Sequence, residues 1–178
     1  MADGYADGSF RPSNPVDRGQ FAKMCVDGLG IPMIGTPAAP TFVDVPTGHT
    51  FFDWIETGVD GGLIKGVDDD HYRPSAPMLR VQVNTILGRY MEKTALDGPG
   101  YIEGELGTYG TVAEWYAVEG GDALARFSDV EEIATVHKPY SAYLAYMGVV
   151  KGTGGRLYPM STITRAQAAV LIVRVGQV

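Results

Sequence analysis

Gly4-Tyr5-Ala6-Asp7-Gly8-Ser9-Phe10-Arg11-Pro12, followed three residues later by Val16-Asp17-Arg18-Gly19-Gln20-Phe21-Ala22, is one of three stretches in this 178-residue chain that line up with one another. The second is Gly66-Val67-Asp68-Asp69-Asp70-His71-Tyr72-Arg73-Pro74, then Met78-Leu79-Arg80-Val81-Gln82-Val83. The third is Gly152-Thr153-Gly154-Gly155-Arg156-Leu157-Tyr158-Pro159, then Ile163-Thr164-Arg165-Ala166-Gln167-Ala168-Ala169. In each, an arginine stands six positions after the proline, a glutamine two positions after that arginine, and an aromatic residue one or two positions before the proline. Self-similarity at fixed spacing is the mark of a repeat architecture, in which no unit buries its apolar face alone.

Two copies share an upstream half. Phe42-Val43-Asp44-Val45 matches Phe127-Ser128-Asp129-Val130, each phenylalanine lying 32 positions before its proline. Gly62-Leu63-Ile64-Lys65-Gly66 matches Gly148-Val149-Val150-Lys151-Gly152, and Trp54 and Tyr140 each precede those motifs by eight. The first copy begins at its middle, so the chain reads as a fragment or as an array whose first unit is incomplete. The organisation expected is residues 1–35 as the second half of copy one, 36–90 as copy two, 91–126 as a Gly-rich insertion and 127–178 as copy three.

Apolar residues recur at three- and four-residue spacing over 51–59 and 139–147, which predicts a short helix in each upstream half. Gly62 and Gly148 are placed to stop them. A second helix is predicted over about 18–29, 80–91 and 165–175. Thr164-Arg165-Ala166-Gln167 reads as a capping box and Asp17-Arg18-Gly19-Gln20 as the same device with an Asp cap, while Leu79 lacks the capping oxygen. The insertion holds one further helical stretch, over 111–124.

Composition bounds the function. Hydrophobic residues make up 45% and charged residues 20%, as in ordinary globular chains. A net charge of −7 disfavours nucleic acid and anionic lipid as partners. No apolar run is long enough to span a membrane, and Met1-Ala2-Asp3-Gly4 does not read as a signal peptide, so any export signal lies outside this chain. Cys25 sits in an apolar helical pattern and reads as a buried structural thiol. Asp68-Asp69-Asp70 lacks the loop acid an EF-hand needs, the histidines His49, His71 and His137 share no metal-ligand spacing, and no G-x-S-x-G nucleophile motif occurs. Glu103, Glu105 and Glu114 occur once, in the Gly-rich stretch, and read as solvated carboxylates. Neither a cofactor nor an enzymatic activity is expected.

The repeated motifs resemble the S-layer homology (SLH) family. Its unit looks like F-x-D-V, a helix with His and Trp, G-I-I-x-G-Y-x-D-G-T-F-x-P and I-T-R-A-E-x-A. Residues 4–12, 163–167 and 42–45 with Gly48-His49 follow those pieces, and the resemblance covers nearly the whole chain outside 91–126. The departures are Gln for the usual Glu in all three copies, Leu79 and Thr50 in copy two, and Gly154-Gly155 in place of an Asp-Gly turn in copy three. The resemblance implies an all-α fold of tandem helix-loop-helix repeats packed as a pseudo-threefold bundle. It also implies an extracellular location at a bacterial cell wall or S-layer, and non-covalent anchoring by binding secondary cell-wall polysaccharide, often pyruvylated, in grooves between repeats.

In that reading Arg18, Arg80 and Arg165, each at a helix start beside unpaired backbone N–H groups, hold a carboxylate. Gly4, Asp7, Gly8, Gly66, Asp68 and Gly152 shape the grooves, and Trp54 and Tyr140 stack on the sugar. The alternative is an assembly module that packs with sister SLH modules or a parent surface protein and binds no glycan.

Overall fold

A computed structural model of the protein describes residues 4–5 and 7–178; the readings that fall on Met1 to Asp3 and on Ala6 lie outside them. The elements in chain order are α1 (Arg18–Gly28), α2 (Phe52–Asp60), α3 (Arg80–Asp97), β1 (Ile102–Glu103), β2 (Thr108–Tyr109), α4 (Val112–Trp115), α5 (Gly121–Ala125), α6 (Lys138–Tyr146) and α7 (Arg165–Val175). A π-helical turn, Tyr116–Gly120, joins α4 to α5, and two 3-10 turns, Val130–Glu132 and Thr135–His137, precede α6. The protein is mostly helical, as the repeat reading expected, with one two-residue antiparallel pair, Ile102 with Tyr109 and Glu103 with Thr108.

The chain divides into two compact units, the first being Met1–Met78 with Thr162–Gln177. At its centre Val16 N donates to Ile163 O (3.0 Å), Ile163 N to Met78 O (3.0 Å) and Met78 N to Val16 O (2.9 Å). One member comes from each copy, at the position four residues after the proline. All three side chains are fully buried, so the ring of backbone bonds lies in the apolar core. Beside it, two helix starts are tied to the turn of another copy. Arg18 N and Gly19 N donate to Ala76 O and Pro74 O (2.9 and 2.8 Å), and Arg165 N and Ala166 N donate to Asn14 O and Pro12 O (2.9 and 3.0 Å). α1 packs on α2 and on α7, with no room at Gly19 for a side chain against the Phe51 ring, and with Gly28 close against Ile172.

The second unit is Leu79–Ser161 with Val178. Its helix start repeats the pattern: Arg80 N donates to Ser161 O (3.0 Å) and Val81 N to Pro159 O (3.1 Å). α6 packs on α3, where a Cβ at Gly88 would come within 2.6 Å of Tyr140 Cβ. The insertion folds back on α6, and buried Trp115 meets Tyr143 edge-on at 5.3 Å between ring centres. α3 runs to Asp97, six residues past the expected end, because Glu92 gains partners: Tyr140 Oη donates to its Oε2 (2.8 Å) and Val112 N to its Oε1 (2.8 Å). The first residues of the insertion therefore continue a helix.

The short upstream helices end as expected. Gly62 (φ 71°) and Gly148 (φ 72°) take the left-handed conformation that lets the chain leave α2 and α6. The capping readings hold only in part. Asp17 accepts from Gln20 N (2.7 Å), and Thr164 exchanges both bonds with Gln167 (3.1 and 3.3 Å). Leu79 N donates to Gln82 Oε1 (3.1 Å), but a leucine side chain returns nothing. Gln20 Oε1 does not reach back and has no partner.

A device not anticipated from sequence lies before each proline. Arg11, Arg73 and Tyr158 have φ of 50°, 59° and 53°, a conformation costing a non-glycine residue about 1–2 kcal/mol. In copies two and three the Asp of the F-x-D-V motif holds that turn. Asp44 accepts from Tyr72 N (2.9 Å) and Arg73 N (2.7 Å), and Asp129 from Leu157 N (2.9 Å) and Tyr158 N (2.8 Å). Burial pushes both carboxyl groups up, but the pairs of amide donors outweigh it and hold each below the usual range. A depressed folded-state pKa contributes stability that is present above the ordinary carboxylate range near pH 4 and is lost as pH falls through the lower folded value. Asp129→Asn is expected to lower stability by about 1–3 kcal/mol at pH 7 in urea melts. The gap to the parent is expected to shrink at pH values of about 2–3; an equal gap at both pH values would show that the carboxylate charge contributes nothing.

Candidate functional site

The three helix-initiating arginines do the same job at their Nε atoms. Arg18 Nε donates to Tyr72 O (2.7 Å), Arg80 Nε to Leu157 O (3.0 Å) and Arg165 Nε to Phe10 O (2.9 Å). The acceptor in each case is the carbonyl two positions before a repeat proline, which belongs to the turn that the left-handed residue creates. Arg18 and Arg165 are each only 6% exposed. Arg18 also donates from Nη2 to Lys65 O (3.0 Å), lies 4.5 Å over the Tyr72 ring, and accepts from Tyr72 Oη at its own carbonyl (3.0 Å). Burial pulls the Arg18 and Arg80 guanidinium groups below the usual arginine value, though both remain cations at any pH of interest.

These contacts correct one expectation. The helix-start N–H groups proposed as an anion cradle are occupied: the amides of the arginine and of the residue after it donate to backbone carbonyls at all three starts. The dipole remains, but the donors that would grip an anion do not.

The other expected residues divide by role. Asp7 is exposed, accepts from Ser9 Oγ (2.6 Å) and pairs with Arg11 (2.8 Å), and these bonds lower its pKa to about 2. Asp68 accepts from Asp70 N, His71 N and the His71 ring within its own turn. Gly8 (φ 78°) turns the chain, and Gly66 and Gly152 are pressed by aromatic rings: a Cβ would come within 2.7 Å of Phe42 and 2.6 Å of Phe127. Trp54 donates from Nε1 to Asp27 (2.8 Å) and carries Lys23 Nζ 4.1 Å over its ring, so one face is covered. Tyr140 is half-buried, and burial with its bond to Glu92 pushes its hydroxyl up to about 12. Its ring packs on α3, the arrangement of a core residue. Cys25 is buried, and burial pushes its thiol up to about 12, which makes it an inert packing group as expected.

One cleft in the first unit gathers several of these groups. It has a volume of ≈ 170 Å³ and is lined by Gly4, Tyr5, Gln20, Lys23, Met24, Phe51 and Arg165. Two rings form apolar walls. Two cationic side chains reach it: Arg165, stacked 5.0 Å from the centre of Tyr5, and Lys23, held by Asp27 at 2.8 Å and by Trp54. Gln20 also lines it, but its Oε1, without a partner among the described residues, is shut off from solvent. A cation pair and flat apolar walls suit a hydroxyl-rich ring that bears a negative group. Of the expected residues, Gly4 and Arg165 line this cleft and Trp54 orients one of its cations. Lys23 and Phe51 were missed: the positions matching Lys23 in the other copies are Thr85 and Val170, so comparison of repeats could not single it out.

Residues 2–22 and 126–169 match the S-layer homology domain. Those two stretches are similar to S-layer homology sequence. It is 34% identical over 98 residues to a cellulosome-anchoring protein of Acetivibrio thermocellus, an alignment covering 53% of this chain and 22% of that protein. It is 27% identical over 173 residues to an uncharacterized cell wall amidase of Bacillus anthracis, covering 96% of the chain and 27% of the amidase. It is 23% identical over 178 residues to the surface-layer 125 kDa protein of Lysinibacillus sphaericus, covering 98% of the chain and 13% of that protein. The chain thus spans between 13% and 27% of the length of these relatives. Among its described residues no helix is long and apolar enough to cross a membrane, and no cluster of His, Cys, Asp or Glu is placed to hold a metal.

The carbonyl contacts make Arg18 a structural residue whose fork matters. Arg18→Lys keeps the charge but offers no fork to reach Tyr72 O and Lys65 O together. It is expected to cost about 1–2 kcal/mol in urea melts, whereas the exposed Arg73→Lys is expected to stay within about 0.5 kcal/mol. Equal midpoints for the two variants would remove the structural role.

Proposed function

We propose that this chain is a non-catalytic anchor that holds its parent protein on a bacterial cell surface by binding an acidic wall polysaccharide. The sugar sits in the cleft between the Gly4-Tyr5 turn and α1. The observation that carries this reading is the meeting, in one cleft, of the Arg165 and Lys23 cations with the Tyr5 and Phe51 rings. The rings cover the apolar face of a pyranose, and the guanidinium and ammonium groups pair with a carboxylate such as that of a pyruvyl ketal. The overall charge of −7 does not oppose this, because screening confines the repulsion to about 8–10 Å while the cleft presents its own positive groups.

Three kinds of relatives support the surface location: their names describe a cellulosome anchor, a cell wall amidase and a surface-layer protein. The amidase match extends over 27% of that protein, so shared sequence does not carry an amidase activity to this chain. The reading differs from the sequence expectation in assigning one cleft and one anchoring arginine, Arg165. Arg18 acts through the fold.

Cosedimentation with purified bacterial cell walls tests it. The chain is expected to pellet with intact walls and to stay in the supernatant with walls stripped of their anionic polysaccharide. Lys23→Gln leaves the repeat contacts in place and is expected to weaken pelleting about tenfold. Undiminished pelleting on stripped walls would overturn the proposal.

A further inference from the structure

The lysine that copy one contributes to the cleft is held by two further side chains. Lys23 Nζ donates to Asp27 Oδ2 (2.8 Å), one turn along α1, and lies 4.1 Å over the Trp54 ring of α2. Trp54 Nε1 donates to the other oxygen of the same carboxylate, Asp27 Oδ1 (2.8 Å). The three groups close a triangle in which each touches the other two. Partial burial pushes the Asp27 carboxyl up, but the bonds from Lys23 and Trp54 outweigh it and hold it below the usual range. Acid and ammonium therefore face each other as a charged pair at neutral pH.

The fold does not call for this triangle. Counting five and nine positions after the arginine gives Lys23 and Asp27 in α1, Thr85 and Arg89 in α3, and Val170 and Arg174 in α7. Tyr140 stands where Trp54 does in its own copy. There the helix pair closes differently: Thr85 Oγ1 bonds His137 Nδ1 (2.7 Å), Arg89 lies 5.9 Å over the Tyr140 ring, and Tyr140 Oη donates to Glu92 (2.8 Å). The place that carries an acid in α1 carries a base in both other helices. An arginine-led helix thus packs on an upstream helix without lysine, acid or tryptophan at these places, and copy one differs at all three of them beside the cleft.

A lysine side chain is long and flexible, so an anion that binds a loose ammonium must first order it. Here the fold has ordered it already. Arg165 is fixed in a similar way, with Nε on Phe10 O (2.9 Å) and the guanidinium 5.0 Å from the centres of the Tyr5 and Phe10 rings. Both cations of the cleft lie on aromatic carbon at set places.

We propose that Asp27 and Trp54 are positioning residues of the cleft: they hold Lys23 Nζ where the acid group of the bound sugar arrives, so that placement rather than the local sum of charge sets affinity. Their role rests on the reading of this cleft as the glycan site. Diffuse attraction predicts the opposite sign. Asp27→Asn removes a negative charge beside the cleft, which would tighten the grip on an acidic polymer if net charge decided it; positioning makes the same change loosen it.

The test has two arms, both on the whole chain. In the first, ammonium-selective NMR of the free chain labelled with nitrogen-15 reads the Lys23 Nζ protons, assigned by their loss in Lys23→Gln. The Trp54 ring current is expected to place them upfield of the other lysines, and Asp27→Asn is expected to abolish that displacement. In the second, folded variants are cosedimented with intact bacterial cell walls. Asp27→Asn is expected to weaken pelleting about two- to tenfold, the range set by ordering one long side chain. Asp27→Glu, which keeps the carboxylate, is expected to recover most of the loss. Trp54→Phe, which keeps a ring under the ammonium but loses the Nε1 donor, is expected to fall between them. A Lys23 signal that lies with the other lysines, or that Asp27→Asn leaves in place, would overturn the proposal whatever the walls show. Unchanged or tighter pelleting by Asp27→Asn, alongside a loss with Lys23→Gln, would overturn it while the cleft keeps its glycan. Failure of the parent chain to pellet would remove the reading of the cleft and the positioning role with it.

Discussion

Three backbone amides, from Val16, Met78 and Ile163, donate in a circle to one another's carbonyls inside a core from which water is excluded. A buried amide or carbonyl left unpaired is costly, so no member of this ring can be withdrawn or shifted by a residue without orphaning two others. The constraint accounts for the spacing seen in the sequence. Each member stands four residues after a proline and two before an arginine, and that six-residue window has the same length in all three copies. Side chains at the three positions differ (Val, Met, Ile) because the ring is made by main chain and asks of them only that they be apolar.

The architecture was legible because it rests on periodicity and on length. The helices of the upstream halves, their terminating glycines and the arginine-led helices all follow from spacing that a single sequence displays. What was not legible is the conformation before each proline. A left-handed residue is ordinarily announced by Gly or Asn, and here it is Arg, Arg and Tyr. The strain is held by carboxylates some thirty residues upstream, at Asp44 and Asp129. The motif containing them was visible, but the reason for an acid in it appears only when the two peptide amides it accepts from are seen. The length of α3 was missed for the opposite reason, since one partner of Glu92, Val112, belongs to the insertion, which has no counterpart in the other copies.

The arginines show how a repeated residue can mislead. Threefold recurrence at a helix start invites a ligand, because guanidinium, helix dipole and bare amides together bind anions. The structure uses the same features internally: the amides are satisfied by the turn of another copy, and Nε seizes the carbonyl that the strained turn exposes. Among the described residues only Arg165 combines this contact with a place on the cleft wall, and its companion Lys23 is peculiar to copy one. Shared residues build the scaffold here, and the candidate site sets beside two of them, Arg165 and Gln20, a lysine that the other copies lack.

The hairpin Ile102–Glu103 with Thr108–Tyr109 belongs to the one stretch with no counterpart elsewhere in the chain, and at its tip Leu106 is 75% exposed. The interval between Pro74 and Pro159 exceeds that between Pro12 and Pro74 by this excursion, yet the proline-to-arginine windows on either side are unaltered. Growth of the polypeptide has been absorbed where no ring or staple is touched. Foreign sequence, such as an epitope, would therefore be tolerated at residues 105–107, where the added length touches neither the backbone ring nor the arginine contacts.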